Sequence, residues 1–336
     1  MKQQQLVVSL ATLVLSVGLW TVTSRPVHAL TLVPPSLEFS SQPGKTIDTT
    51  VKLFNETAEP INVNPSTALF TAKDELGAPA FDFKSKPSDL ATWISVPNGP
   101  LGVRPNERIE IPIKITVPVD AQPGGHYAGL FFETVPGGDN PGQVKVKAKI
   151  GTLVIIRIEG DVRESGTVKE FSTSGSSNHA SLPVSFVLRV ANDGNVHFRP
   201  EGTVTIHNMF GGTTASIQIN TTEGAVLPNS VRHYDVQWKK NSDKAPKGNF
   251  FQLVGDEWHN FAFGTYTAQL DATYGASKKA LSATTRITIV PWHLLLLVIV
   301  LVIIVVVLLV LFIKWYNNMI MKRVEKKISS NTRSRS

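Results

Sequence analysis

A Gly-Lys-Thr run, Pro43-Gly44-Lys45-Thr46, is the first stretch of this sequence whose residue types could serve chemistry. Such a run closes the loop that cradles phosphate on backbone N–H groups at a helix N-terminus. Here Phe39 stands five positions before Gly44, where that loop needs glycine, and the residues that follow lead into a strand, so phosphate binding is rejected. His126, His179, His197, His207, His233 and His259 form no pair with metal-ligand spacing, and no His-Glu-x-x-His occurs. Ser172-Thr173-Ser174-Gly175 lacks the leading glycine of a nucleophile elbow and reads as a polar loop. With no cysteine in the chain, thiol catalysis, thiolate metal sites and a lipid-modified cysteine anchor are excluded. The expectation is a non-enzymatic protein with no catalytic residue, no metal and no cofactor. Asn55-Glu56-Thr57 and Asn220-Thr221-Thr222 match a glycosylation triplet, but they read as turn residues.

The segment Lys239–Phe263 is the most suggestive for binding. It is too long for a hairpin turn, and it mixes five aromatic residues with Lys239, Lys240, Lys244 and Lys247. Phe250, Phe251, Trp258 and Phe261 are the candidate contacts to a partner or to a lipid surface. The competing reading folds these rings back to plug the end of a sandwich. Trp93, Phe131 and Phe132 are expected in a core, although adjacent Phe131 and Phe132 must point to opposite faces of their strand.

The ends of the chain place these residues. Lys2, the apolar Leu6–Val22 and the ending Val27-His28-Ala29 read as a secretory signal over 1–29, cleaved after Ala29, with an uncleaved anchor as the alternative. Leu294–Ile313 is an unbroken apolar run of about 20 residues, enough at 1.5 Å per residue to cross a bilayer core. A transmembrane helix is therefore expected over 292–313. Trp292 at one end and Trp315 and Tyr316 at the other suit the headgroup level, as interface anchors. Lys314, Lys322, Arg323, Lys326 and Lys327 dominate the tail 314–336 and place it in the cytoplasm, with the rest of the mature chain outside. The formal charge of +7 divides into +2 before residue 30 and +6 after residue 313, leaving the ectodomain at −1. A nucleic-acid partner is thus not expected, whereas anionic membrane lipid near the tail is.

Between the ends the sequence reads as strands. Ile109, Ile111, Ile113, Ile115 and Val117 alternate with Arg108, Glu110, Pro112, Lys114 and Thr116, a half-buried strand that Pro112 marks as an edge. Asp48–Leu53, Val144–Lys149, Val184–Val190 and Tyr266–Ala272 alternate likewise. Turns at Pro43-Gly44, Asn98-Gly99, Gly124-Gly125, Pro136-Gly137 and Asp193-Gly194 separate the runs. Asp89–Ile94 is the one short helical turn expected. Two passages repeat: an apolar strand closing on Asn55 or Asn192, and a later strand entered through Gly125-His126-Tyr127 or Gly264-Thr265-Tyr266. The fold class expected is an all-β ectodomain of two tandem Ig-like β-sandwiches, 30–159 and 160–291, followed by one transmembrane α-helix.

On these residues, VRPNERIEIPIKITVPVDAQPGGHYAGLFFETVP and SLEFSSQPGKTIDTTVKLFNETAEPINVNP above all, the chain resembles the WxL-interacting proteins of Gram-positive bacteria. That resemblance implies a signal peptide, two Ig-like domains, a C-terminal membrane helix, a first domain that binds peptidoglycan and a second that binds a host or partner protein. It assigns no individual ligand residue. Trp292-His293-Leu294 spells W-x-L, but that motif belongs to the family's partners. The function expected is a membrane-anchored surface protein that binds cell-wall polymer or a partner surface protein. The rivals are an accessory subunit of an envelope secretion or assembly complex, a chaperone-like sandwich that donates a strand to exported clients, and, last, an envelope hydrolase. The oligomeric state is left open.

Overall fold

The structure, a computed structural model, describes residues 30–135, 147–241 and 247–333, of which 324–333 are described by backbone alone. The expected signal segment 1–29, the turn at Pro136-Gly137, the first half of the expected strand Val144–Lys149, and the side chains of Lys244, Lys326 and Lys327 lie outside the described residues.

The chain forms two compact units. One holds the residues through Phe70 with Phe81–Gln122 and His126–Ile158, and the other holds Thr71–Ala80, Pro123–Gly125 and everything from Glu159. In the first unit, β1 (Leu30–Val33), β3 (Thr46–Asn55), β8 (Arg108–Thr116) and β6 (Ile94–Ser95) make one sheet in that order. The other sheet runs β2 (Ser36–Ser41), β10 (Lys149–Ile158), β9 (Gly124–Val135), β4 (Ile61–Ala72) and β5 (Pro79–Asp82), with β7 (Leu101–Val103) also on β4. Alternation puts Val51, Leu53, Ile111, Ile113 and Ile115 of the first sheet against Leu130, Phe132, Val154 and Ile156 of the second. The helical turn expected near Asp89 is α1 (Leu90–Trp93), with Leu90 and Trp93 in this core.

The expectation that Pro112 marks an edge strand needs correction, because β8 has neighbours on both sides. The reason proline survives there is that β6 covers only Lys114 and Ile115. Opposite Thr50 of β3, Pro112 turns its missing N–H toward a stretch with no second strand among the described residues.

In the second unit, β11 (Gly166–Thr173), β13 (Val184–Asn192) and β16 (Ser230–Trp238) form a three-stranded sheet. The facing sheet runs β12 (Asn178–His179), β18 (Lys279–Ile289), β17 (Gly264–Tyr274), β14 (Glu201–Asn208) and β15 (Thr213–Gln218). Phe186, Leu188, Val236 and Trp238 pack against Val204, Ile206, Leu270 and Ile287. The two Ig-like sandwiches and the C-terminal helix agree with the expected fold class.

The sequence repeat has a physical basis. Asn55 and Asn192 are both fully buried at the end of their strands. The Asn55 amide donates to the carbonyls of Glu59, Val103 and Arg104, and its oxygen accepts from the Thr57 backbone. Asn192 donates to Val196 and Val226 and accepts from Gly194. Each side chain thus serves loop groups that have no ladder partner. The second repeat is only half kept. The Tyr266 hydroxyl donates back to the Phe263 carbonyl and accepts from its N–H, the tie expected of a tyrosine at a strand entrance. In the first unit the buried residue is His126, and Tyr127, one place on, lies on the opposite face of the strand against Phe70.

Candidate functional site

Lys239–Phe263 is not the open loop that its length suggested. It contains α2 (Phe250–His259), nearly three turns of helix where the sequence suggested a loop. The signal was present: Asn249 accepts from the Gln252 backbone, and the Gln252 side chain accepts from the Asn249 backbone, a capping box readable as Asn-x-x-Gln. At the far end the Asn260 N–H donates to the Asp256 carbonyl, and Asn241 holds the last turn through Asn260 and His259.

What α2 positions is Glu257, 1% exposed and absent from the sequence-based candidates. It faces the start of α3 (Trp292–Arg333). One carboxylate oxygen lies 2.6 Å from His293 Nδ1, and the other accepts from the Leu294 N–H at 2.7 Å. The first N–H groups of a helix have no partner within it, and a carboxylate there is also favoured by the helix dipole. Glu257 therefore caps the apolar helix from the side of the sandwich. A lone glutamate in an aromatic stretch carries no sequence signal of this, since its partners lie 36 and 37 residues away.

Three of the four predicted contacts fall on this element. Phe250 turns inward, half-buried, its ring 5.7 Å from that of His293. Phe251 and Trp258 turn outward and are exposed, as is Phe261 just beyond the helix. Phe250 is therefore the one ring of the four that folds back, and it does so against the first turn of the apolar helix. Trp292 opens α3, its ring centre 3.5 Å from that of His293 and tilted by 31° to it. At the other end Trp315 and Tyr316 group with Phe312, and Lys314, Lys322 and Arg323 are exposed. Residues 292–323 make one helix long and apolar enough to cross a membrane. The helix continues past Ile313, the expected end of the membrane span, to Arg333. Residues 314–333 hold no glycine or proline to stop it.

The first unit offers a second surface. Core-facing β9 residues include Leu130 and Phe132, so Phe131 points to the outer face, as two adjacent residues of a strand must. Its ring lies over Gly151 and Gly129, where a Cβ would meet it at 2.4 and 2.6 Å. Phe81 and Phe83 meet Phe131 edge-on at 4.8 and 5.0 Å, and Lys149 Nζ stands 4.2 Å from the Phe83 ring centre. Phe83 is 50% exposed. Beside this cluster, β2 pairs with β10 only from Leu153 to Ile158. The Leu153 N–H donates toward β2, to the Pro35 carbonyl, so strand parity sends the backbone groups of Lys149 and Gly151 the same way. Among the described residues no strand receives them.

His126 is built in beneath the other end of β9. Its Nδ1 lies 2.6 Å from Asp89 and its Nε2 2.9 Å from the Gln122 carbonyl, with the Trp93 ring 4.6 Å away. Burial works against the imidazolium, but the Asp89 carboxylate and the Gln122 carbonyl outweigh it and raise the pKa. A shallow groove of about 490 Å³ beside β8 is lined by Asp48, Ser95, Pro112 and Lys114 among others, with Asp48 its one carboxylate.

No protein-family model matches the sequence, and no curated protein matches it. Among solved structures, the chain is similar to the class 5 fimbriae chaperone CfaA at 10% identity and a TM-score of 0.39, covering 77% of this chain and 99% of that one. It is similar to the SafA pilin–SafB chaperone complex of Salmonella enterica at 12% identity and a TM-score of 0.35, covering 79% and 99%. A third likeness, to the CsuC–CsuE chaperone–tip adhesion subunit complex of Acinetobacter baumannii, has 11% identity and a TM-score of 0.35, covering 77% and 98%. The sandwich assignment itself rests on the strand pairings of this chain.

Proposed function

We propose that this chain is a non-enzymatic, single-pass membrane protein whose paired sandwiches, held outside the cytoplasm, bind an exported or surface protein by strand addition, in the manner of a chaperone. Anchoring is supported by α3, with aromatic residues at both ends of its apolar run and basic residues after it. The observation that carries the binding mode is the edge Lys149–Gly151 of β10, which has no partner strand among the described residues. An extended peptide laid there would gain main-chain hydrogen bonds from Lys149 and Gly151, beside an aromatic cluster able to hold its side chains. The opposite sheet is less suited, because Pro112 interrupts its open stretch.

A second reading, binding of cell-wall polymer by the first unit, follows the resemblance to WxL-interacting proteins. It is favoured by one observation, the exposed Phe83 ring with Lys149 above it. A photo-crosslinker attached at Lys147→Cys in intact cells separates the two, since the chain has no other cysteine. Crosslinks to protein that disappear in Lys149→Pro but persist in Lys149→Gln would support strand addition, because proline removes the outward N–H and glutamine keeps it. Crosslinks to glycan would support the second reading, and the absence of both would sink the proposal.

A further inference from the structure

Between residues 159 and 290, every large apolar side chain left exposed among the described residues lies in one of three places. These are the β14–β15 turn Met209-Phe210, helix α2 with its exit to Phe263, and Val290. Strand register brings the three together. Asn208 at the end of β14 is opposite Tyr266, and Gly264 at the start of β17 is opposite Ile289 at the end of β18. The Met209 methyl lies against Gly264, within 1.8 Å of where a Cβ would stand. This is the end of the sheet from which α3 departs.

We infer that this end of the second sandwich sits in the lipid interface, with Phe210, Phe251 and Trp258 dipped among the headgroups around the root of the anchor. Helix geometry sorts the residues. Phe251 and Trp258 are seven apart, about two turns, and share one face. Phe250 and Glu257, also seven apart, face α3 and bind its first turn. The Glu257 cap fixes α2 at the level of Leu294, where the apolar run begins, so the outward rings stand where aromatic side chains prefer the membrane–water boundary. Phe210 is 89% exposed, Phe251 75% and Trp258 69%, on a sandwich that hides its large apolar groups elsewhere between 159 and 290. Exposed Lys240 and Lys247 flank the patch and suit an anionic lipid surface. The inference rests on α3 crossing a bilayer.

The cysteine-free chain allows a direct test. The full chain carrying single substitutions Phe210→Cys, Trp258→Cys, Ser277→Cys or Ile304→Cys is labelled with an environment-sensitive fluorophore. Each is placed singly in phosphatidylcholine–phosphatidylglycerol nanodiscs. The expected result is a blue shift, loss of iodide quenching and gain of quenching by headgroup-nitroxide lipid at 210 and 258. Position 277, at the far turn of β17–β18, stays in water, and 304 responds to acyl-chain nitroxide only. If 210 and 258 behave like 277 while 304 is buried in lipid, the inference fails and the anchor stands. If 304 is also accessible to iodide, the anchor fails and the inference with it. Shielding of 210 and 258 seen only when two copies share a disc would assign the patch to a second copy and overturn the inference.

Discussion

Glu257 and His293 meet at 2.6 Å in a buried contact that ties the second sandwich to the first turn of the apolar helix. Because the same carboxylate also takes the Leu294 N–H, it satisfies donors that the helix cannot. Glu257→Ala should orphan them at a cost of about 1–3 kcal/mol. Thermal unfolding of the full chain in detergent should show this as a melting temperature several degrees lower. Glu257→Gln, which keeps an acceptor but no charge, should fall between. Unchanged melting in Glu257→Ala would show that the cap does not hold the junction.

Asn55 and Asn192 should be equivalent in effect and independent in place. Each replacement by alanine leaves buried carbonyls without a donor, about 1–3 kcal/mol for the groups exposed to that loss. Urea unfolding followed by Trp93 for the first unit and Trp238 for the second should show Asn55→Ala shifting only the former and Asn192→Ala only the latter. A shift of both transitions by either variant would contradict the assignment.

The two units should respond to pH in opposite directions. His126 has its pKa raised above the ordinary 6.5, so its contribution is full below 6.5 and is lost as pH rises through the raised native value. His179 is the reverse case. Burial lowers its pKa, and its Nε2 has no hydrogen-bond partner. The unfolded chain takes up that proton first, so the second unit weakens as pH falls below 6.5. Denaturation midpoints measured across this range should diverge on the acid side. Asp89→Asn should flatten the trend of the first unit alone; a first unit indifferent to pH would refute the His126 assignment.

Gly202 should not tolerate a side chain. A Cβ there would stand 2.3 Å from the Asp271 carbonyl oxygen and 2.4 Å from the Ala272 Cα, both backbone atoms of the neighbouring strand that cannot swing aside. Gly202→Ala should cost about 1–3 kcal/mol, as overpacking does, and lower the urea midpoint of the second unit. A midpoint equal to that of the parent chain would mean that β14 shifts freely.

How much of this was legible beforehand depends on range. Period-two alternation in Arg108–Val117 and Val184–Val190 settled which side chains enter a core, because a strand has only two faces. The unbroken run Leu294–Ile313 settled that a helix there would be apolar all round. The capping box at Asn249 was also readable, and overlooking it turned a helix into a loop. Tyr127 misled for a related reason: a shift of one residue in a strand exchanges its two faces, so an identical Gly-x-Tyr entrance buried His126 instead.

By itself the sequence determined the fold class, the alternating cores, the strands that close on Asn55 and Asn192 and the apolar C-terminal helix, all properties of residues near one another in the chain; the burial of the two asparagines came from partners 34 to 49 residues away. Only the tertiary structure decided that Glu257 caps α3, that Phe210 stands at the same end as Trp258, and that β10 at Lys149–Gly151 has no partner strand among the described residues. Those depend on register and on which strands come to lie side by side. Pairings between residues tens of positions apart are set by the packing of whole faces, not by any local pattern of residue types.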